Sequence, residues 1–136
     1  MKHKTLLYLN IILLISFCGC AMLSSLQQAK TYEGITRQFK ASYDEVVAVA
    51  KAAPEATGLK TARINNQNPN RVEILCESLT TETDYGALFG IFVYPEKDGL
   101  VPVQIVMRKK TAANIFVHDY TEDLFTVIIE NLENRK

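Results

Sequence analysis

Apolar positions along the chain change their period several times, and each change predicts an element. From Thr5 to Phe17 the run is almost unbroken and has no polar face. From Ala21 to about Thr31 the residues are small and polar without a convincing amphipathic stripe. Tyr32 to Lys40 sets Ile35 and Phe39 in line with Glu33 and Arg37, a modest strand pattern interrupted by Gly34. Ser42-Tyr43-Asp44-Glu45 has the spacing of a capping box, and Val46, Val47, Val49, Ala50 and Ala53 follow at helical intervals. That helix is expected over 43–53, bent or stopped by Pro54, with Gly58 the better C-terminal signal.

Four more strands follow. Leu59 to Asn66 and Arg71 to Ser78 flank the polar turn Gln67-Asn68-Pro69-Asn70. In the second of them Val72, Ile74 and Cys76 share one face and Glu73, Leu75 and Glu77 the other, as in a half-buried antiparallel strand. Gly86 to Tyr94 and Leu100 to Lys109 flank a turn whose Asp98-Gly99 closes a hairpin. Pro102 cannot donate to a ladder, which predicts an edge or a bulge there. Asp119-Tyr120-Thr121-Glu122 again has cap-and-return spacing, and Leu124, Phe125, Ile128, Ile129 and Leu132 make a helical stripe to about Asn134. The order β-α-β-β-β-β-α predicts an α+β fold, an antiparallel sheet of about four to five strands with two helices packed on one face. Residues 32–136 are expected to form a single domain, with 20–31 a tether before it.

The first twenty residues carry an address. Lys2 and Lys4 precede the apolar run, and Phe17-Cys18-Gly19-Cys20 closes it with small residues and cysteine. A basic start, an apolar stretch of about 7 to 15 residues and a small-residue site are the pattern of a secretory signal. With the cysteine at its end, this one resembles a bacterial lipoprotein signal, with Phe17 where leucine is usual. The resemblance implies removal of residues 1–19, a diacylglyceryl thioether on Cys20 and an acylated, palmitate-type amine. Cys20 is a better acceptor than Cys18, which would place bulky Phe17 before the cut. Ala21, where aspartate often marks inner-membrane retention, favours the outer membrane, with the domain in the periplasm. The competing reading is an uncleaved anchor helix from Leu6 to Leu23, weakened by Asn10, Ser16 and Gly19.

Charge and cysteine content narrow the function. The chain has 15 basic and 15 acidic residues. Loss of Lys2 and Lys4 tips the remainder slightly acidic, without the basic surplus that nucleic-acid binding needs. With Cys18 removed and Cys20 lipidated, Cys76 has no disulfide partner in the same chain, so packing must supply stability. Cys76 lies among Glu73 and Glu77 on an apolar strand face, an environment for a core thiol rather than a nucleophile. His118, the one histidine after the signal, lies beside Asp119 without a second ligand-spaced His or Cys, so no metal or other cofactor is implied. Gly-x-Ser-x-Gly and phosphate-loop spacings are both missing from the sequence. Arg108-Lys109-Lys110 reads as a solvated strand end, with lipid headgroups or an acidic partner as the functional alternative.

Ala87 to Tyr94 is the anomaly. Ala87, Phe89, Ile91 and Val93 make one apolar face, and Leu88, Phe92 and Tyr94 make another. If helices cover one face, the second exposes Leu88, Phe92 and Tyr94, expected as a partner-binding surface because contiguous exposed apolar area marks contacts. Alternatively, the tether or the Thr111–Val117 segment covers it. The whole arrangement resembles small single-domain α+β lipoproteins of the bacterial envelope, a group with no assigned activity and hence no catalytic residues to carry over. The expectation is a non-catalytic, lipid-anchored periplasmic module that binds an envelope protein or assists envelope assembly. A carrier or sensor of a small apolar ligand such as a lipid is the alternative, and a small enzyme ranks third.

Overall fold

Ser42 and Glu45 form the box that their spacing predicts. The Glu45 amide donates to Ser42 Oγ at 3.4 Å, and the Ser42 amide donates to Glu45 Oε2 at 3.1 Å. Helix α1 (Tyr43–Ala56) starts there, between strand β1 (Ile35–Phe39) and strand β2 (Lys60–Asn65). The computed structural model describes residues 23–81, 84–111 and 115–135, so the signal region 1–19 and Cys20 lie outside the described residues. Strands β3 (Val72–Glu77), β4 (Ala87–Val93) and β5 (Val101–Lys109) and helix α2 (Thr121–Glu133) complete the α+β order expected from the sequence.

Helix α1 runs through Pro54 instead of ending at Ala53. A proline this close to the C-terminus forfeits one ladder bond, and Thr57 closes the last turn. Its hydroxyl donates to the carbonyls of Ala53 and Pro54 at 3.1 and 2.9 Å. The second predicted cap forms differently. Tyr120 occupies the N-cap of α2 without a side-chain bond, and Asp119 Oδ1 accepts from the Thr121 amide at 2.9 Å. Glu122 does not return to the cap, because Arg37 on β1 holds its carboxylate at 2.8 and 3.0 Å.

The strands form one open antiparallel sheet in the order β1-β5-β4-β3-β2. Strands β2 to β5 are a meander, and β1 adds beside β5, so α1 carries the chain from one edge of the sheet to the other. Asp98 and Gly99, both in left-handed conformation, close the β4–β5 hairpin as predicted. Pro102 departs from expectation because β5 lies between β1 and β4. Its carbonyl accepts from the Tyr94 amide at 2.9 Å, just past the end of β4, so the missing donor falls where the β4 ladder has already stopped. The edge strands blunt further pairing with Arg37 on β1, and with Lys60, Arg63 and a register shift between Thr61 and Arg63 on β2.

Both helices pack on one face. Val46, Val49, Ala50 and Ala53 of α1 and Leu124, Phe125 and Ile128 of α2 close over Ile74, Phe89, Ile91, Val103 and Ile105. Cys76 is buried in this core as expected.

The opposite face corrects two expectations. Leu88 and Phe92 are buried rather than exposed, and Tyr94 is half-buried. Residues 23–29, read as tether, cover them. A short helical segment at 23–27 and the turn after it place Leu23, Leu26 and Ala29 against Leu75, Leu88, Phe92 and Val106. A strand apolar on both sides is stable here because both sides are covered.

Candidate functional site

Strand register arranges the covered face in cross-strand rows. One row reads Asn65, Glu73, Phe92, Gln104 and Thr36; the next reads Arg63, Leu75, Gly90 and Val106. Gly90 leaves the space that Leu26 and the Phe92 ring fill. A Cβ there would stand 2.6 Å from Phe92 Cζ and 3.6 Å from Leu26 Cδ2. Gly34, where the N-terminal segment turns into β1, is equally constrained. It has a positive φ of 66°, and a Cβ would lie 2.1 Å from the Ile105 carbonyl oxygen.

Arg71 closes the site. It precedes β3, and its guanidinium lies 4.0 Å from the Phe92 ring centroid. Nε donates to Glu73 Oε1 at 3.1 Å, Nη1 to the Ala29 carbonyl and to Tyr94 Oη at 3.1 Å each, and Nη2 to the Gln27 carbonyl at 2.6 Å. Gln104 performs the same service from β5. Its Nε2 donates to the carbonyls of Lys30 and Glu33 at 2.7 and 2.6 Å, while Oε1 accepts from Tyr94 Oη at 2.6 Å. The N-terminal segment turns here instead of pairing as a strand, so side chains serve its carbonyls. The network is largely buried, with Tyr94 at its open side, and these polar groups are matched, the condition under which such a cluster fixes one arrangement.

Glu73, 3% exposed, balances the guanidinium. Besides Arg71, its carboxylate accepts from Asn65 Nδ2 at 3.1 Å, Asn68 Nδ2 at 2.9 Å and Gln27 Nε2 at 3.3 Å. Burial acts to raise this carboxyl, but the bonds from Arg71, Asn65 and Asn68 outweigh it and hold it below the ordinary carboxylate range. A folded-state value below the unfolded one means that the contribution is present above about pH 4.3 and is lost as pH falls through the native value. Urea midpoints are therefore expected to drop as pH falls below about 4.3, and Glu73→Gln should flatten that acid limb. An unchanged limb would show that Glu73 does not carry it.

Outside this face, the predicted chemistry is dispersed. Cys76 Sγ lies 3.6 Å from the Phe89 carbonyl, and burial, with the charge of Glu77, pushes its thiol up to about 12. It is a neutral thiol at physiological pH. His118 is exposed, its Nε2 2.9 Å from Asp123 Oδ2 and its ring edge-on to Tyr120. Among the described residues no group of three His, Cys, Asp or Glu could hold a metal. The basic cluster is divided: Arg108 pairs with Glu33, Lys110 pairs with Glu77 at 2.8 Å, and Lys109 is exposed.

Two open grooves adjoin Tyr94. One, of about 560 Å³, includes Lys30, Tyr32, Asn68, Asn70 and Arg71; the other, of about 280 Å³, includes Thr36, Pro95, Lys97 and Pro102. Thr31 and Tyr94 belong to both. Of the residues expected to bind a partner, Tyr94 alone keeps such an outlook. Sequence reasoning missed Arg71, Glu73 and Gln104. Their one signal was the i, i+2 spacing of Arg71 and Glu73, which turns both to the same side of a strand.

The chain matches no protein-family model, and no curated protein matches it. Among the described residues no helix is long and apolar enough to cross a membrane.

Proposed function

We propose that this chain is a lipid-anchored module of the bacterial envelope, held through Cys20 at the outer membrane with its domain in the periplasm. It acts by binding an envelope protein or supporting an assembly, without catalysis of its own. The observation that supports this most is the docking of residues 23–33. A buried arginine and glutamine are committed to gripping main-chain carbonyls of the segment that follows the lipidation motif, and a buried glutamate balances the arginine. Such a network fixes residues 23–33 on the domain, three positions after Cys20 in the sequence, and so limits which parts of the surface face away from the membrane. The grooves on either side of Tyr94 are the partner-facing surface in this reading.

The anchoring half is tested by intact-mass analysis of membrane-extracted protein beside a Cys20→Ser variant. A species starting at Cys20 with added acyl mass is expected, and its loss in the variant. Unmodified full-length mass in both would make the N-terminal run a plain membrane anchor. The binding half is tested with photo-crosslinking residues at Asn70 and Lys97, beside the grooves, and at Glu55 on the helix side. A discrete adduct from the first two, missing from Glu55, is expected. Equal adducts from all three would count against the grooves.

The alternative of an apolar-ligand carrier gains no specific support. The space between sheet and helices is filled by Phe39, Phe89 and Phe125 and their neighbours.

A further inference from the structure

We infer that one end of the sheet, carrying Leu79, Tyr85, Ile115 and Phe116, rests in the interface of the bilayer that holds the N-terminal lipid. This rests on lipidation of Cys20. Cys20 lies three positions before Leu23, which already packs on the sheet. At no more than about 3.6 Å per residue, the lipidated sulfur is confined to roughly 11 Å from the domain surface. A domain so closely held cannot stand clear of the headgroups, and some part of its surface must meet them.

The two ends of the sheet differ sharply in what they offer. The end at the β3–β4 and β5–α2 loops carries Ile115 and Phe116, 80% and 78% exposed, with Leu79 and Tyr85 beside the start of β4. The pairings of Glu77 with Leu88 and of Ala87 with Lys109, and the edge-on contact of Tyr120 with Phe89, put the roots of both loops at this one end. Their roots are tied together by the Lys110 amide on the Gly86 carbonyl at 3.3 Å and by the Lys110–Glu77 ion pair. Lys60 and Lys109 are exposed at the same end, whereas Asp84 and Asp119 are turned onto the Gly86 and Thr121 amides. Apolar side chains with flanking lysines are what an anionic headgroup layer attracts. The opposite end presents Glu96, Lys97 and Asp98 on the hairpin turn and Asn68 and Asn70 before β3, and its exposed apolar residues, Tyr32 and the 42% exposed Ile64, are fewer. With the first end down, the grooves beside Tyr94 face away from the bilayer.

The chain contains no tryptophan, so a single one reports on its own surroundings. Phe116→Trp and, as the remote control, Tyr32→Trp are made in the full chain. Each is purified from membranes and reconstituted in vesicles of equal parts phosphatidylethanolamine and phosphatidylglycerol with brominated acyl chains. The expected result is a blue-shifted Phe116→Trp emission that loses most of its intensity to bromine, while Tyr32→Trp keeps a water-like spectrum without quenching. Water-like emission from Phe116→Trp overturns the inference. So does equal quenching of both, which indicates a different orientation. Intact mass on the same samples separates the premises. Acylated protein with unquenched Trp leaves anchoring intact and removes the interfacial contact, whereas unacylated protein removes the anchoring reading while quenching still decides the contact. If circular dichroism shows that Phe116→Trp misfolds, Ile115→Trp is read in its place by the same criteria.

Discussion

Replacing Arg71 by alanine is expected to cost about 3–5 kcal/mol of folding stability, read from urea denaturation of detergent-extracted protein. The size of the effect comes from what is left behind rather than from the pair itself. Glu73 stays buried without its cation, and the Gln27 and Ala29 carbonyls lose their donor. The Phe92 ring also loses the planar group stacked on it. Removing both charges at once, as Arg71→Met with Glu73→Met, should recover part of the loss, because desolvating an ion pair is itself costly. A loss within about 0.5 kcal/mol for Arg71→Ala, the usual range for a surface change, would show that the network does not hold the segment.

The second large effect is expected at Leu26. As a residue of a flexible tether, Leu26 could be changed almost without consequence. Fully buried against Phe92, Val106 and the space above Gly90, it should cost about 2–5 kcal/mol when truncated to alanine. Proteolysis in graded urea checks this independently of spectroscopy, since loosening residues 23–29 exposes the chain to cleavage before the sheet unfolds. A Leu26→Ala protein as stable and as resistant as the parent would restore the tether.

These two residues also mark where the sequence stops being legible. Elements with a strong local signature are found where expected: the Ser42–Glu45 box, the Asp98-Gly99 turn and the stripe from Leu124 to Leu132 depend on neighbours a few positions apart. What covers the second face depends on residues more than forty positions apart. Residues 23–29 have too short an apolar pattern to declare a partner, and the burial of Leu26 follows only from the gap over Gly90 once β3, β4 and β5 are in register. Glu73 alternates with apolar residues as a solvent-facing strand position would, and nothing local shows that Arg71, Asn65 and Asn68 converge on it. The doubly apolar run from Ala87 to Tyr94 was a correct sign that something lies on both sides. The tether is one of the two covers the sequence offers, and only the register selects it. Pro102 and Glu122 are lesser cases of the same kind, each decided by a strand neighbour remote in sequence.

The contacts of residues 23–33 impose an order on assembly. Gln104 and Arg108 reach back 74 and 75 residues to Lys30 and Glu33, whereas the meander from β2 to β5 is stitched by hairpins between consecutive strands. Loop closure makes the distant contacts slow to form, and they have no surface to land on until β4 and β5 exist. Residues 23–33, made before the strands they rest on, are therefore the last to find their place. Kinetically, truncating Leu26 should accelerate unfolding far more than it slows folding, the signature of a contact that forms after the rate-limiting step.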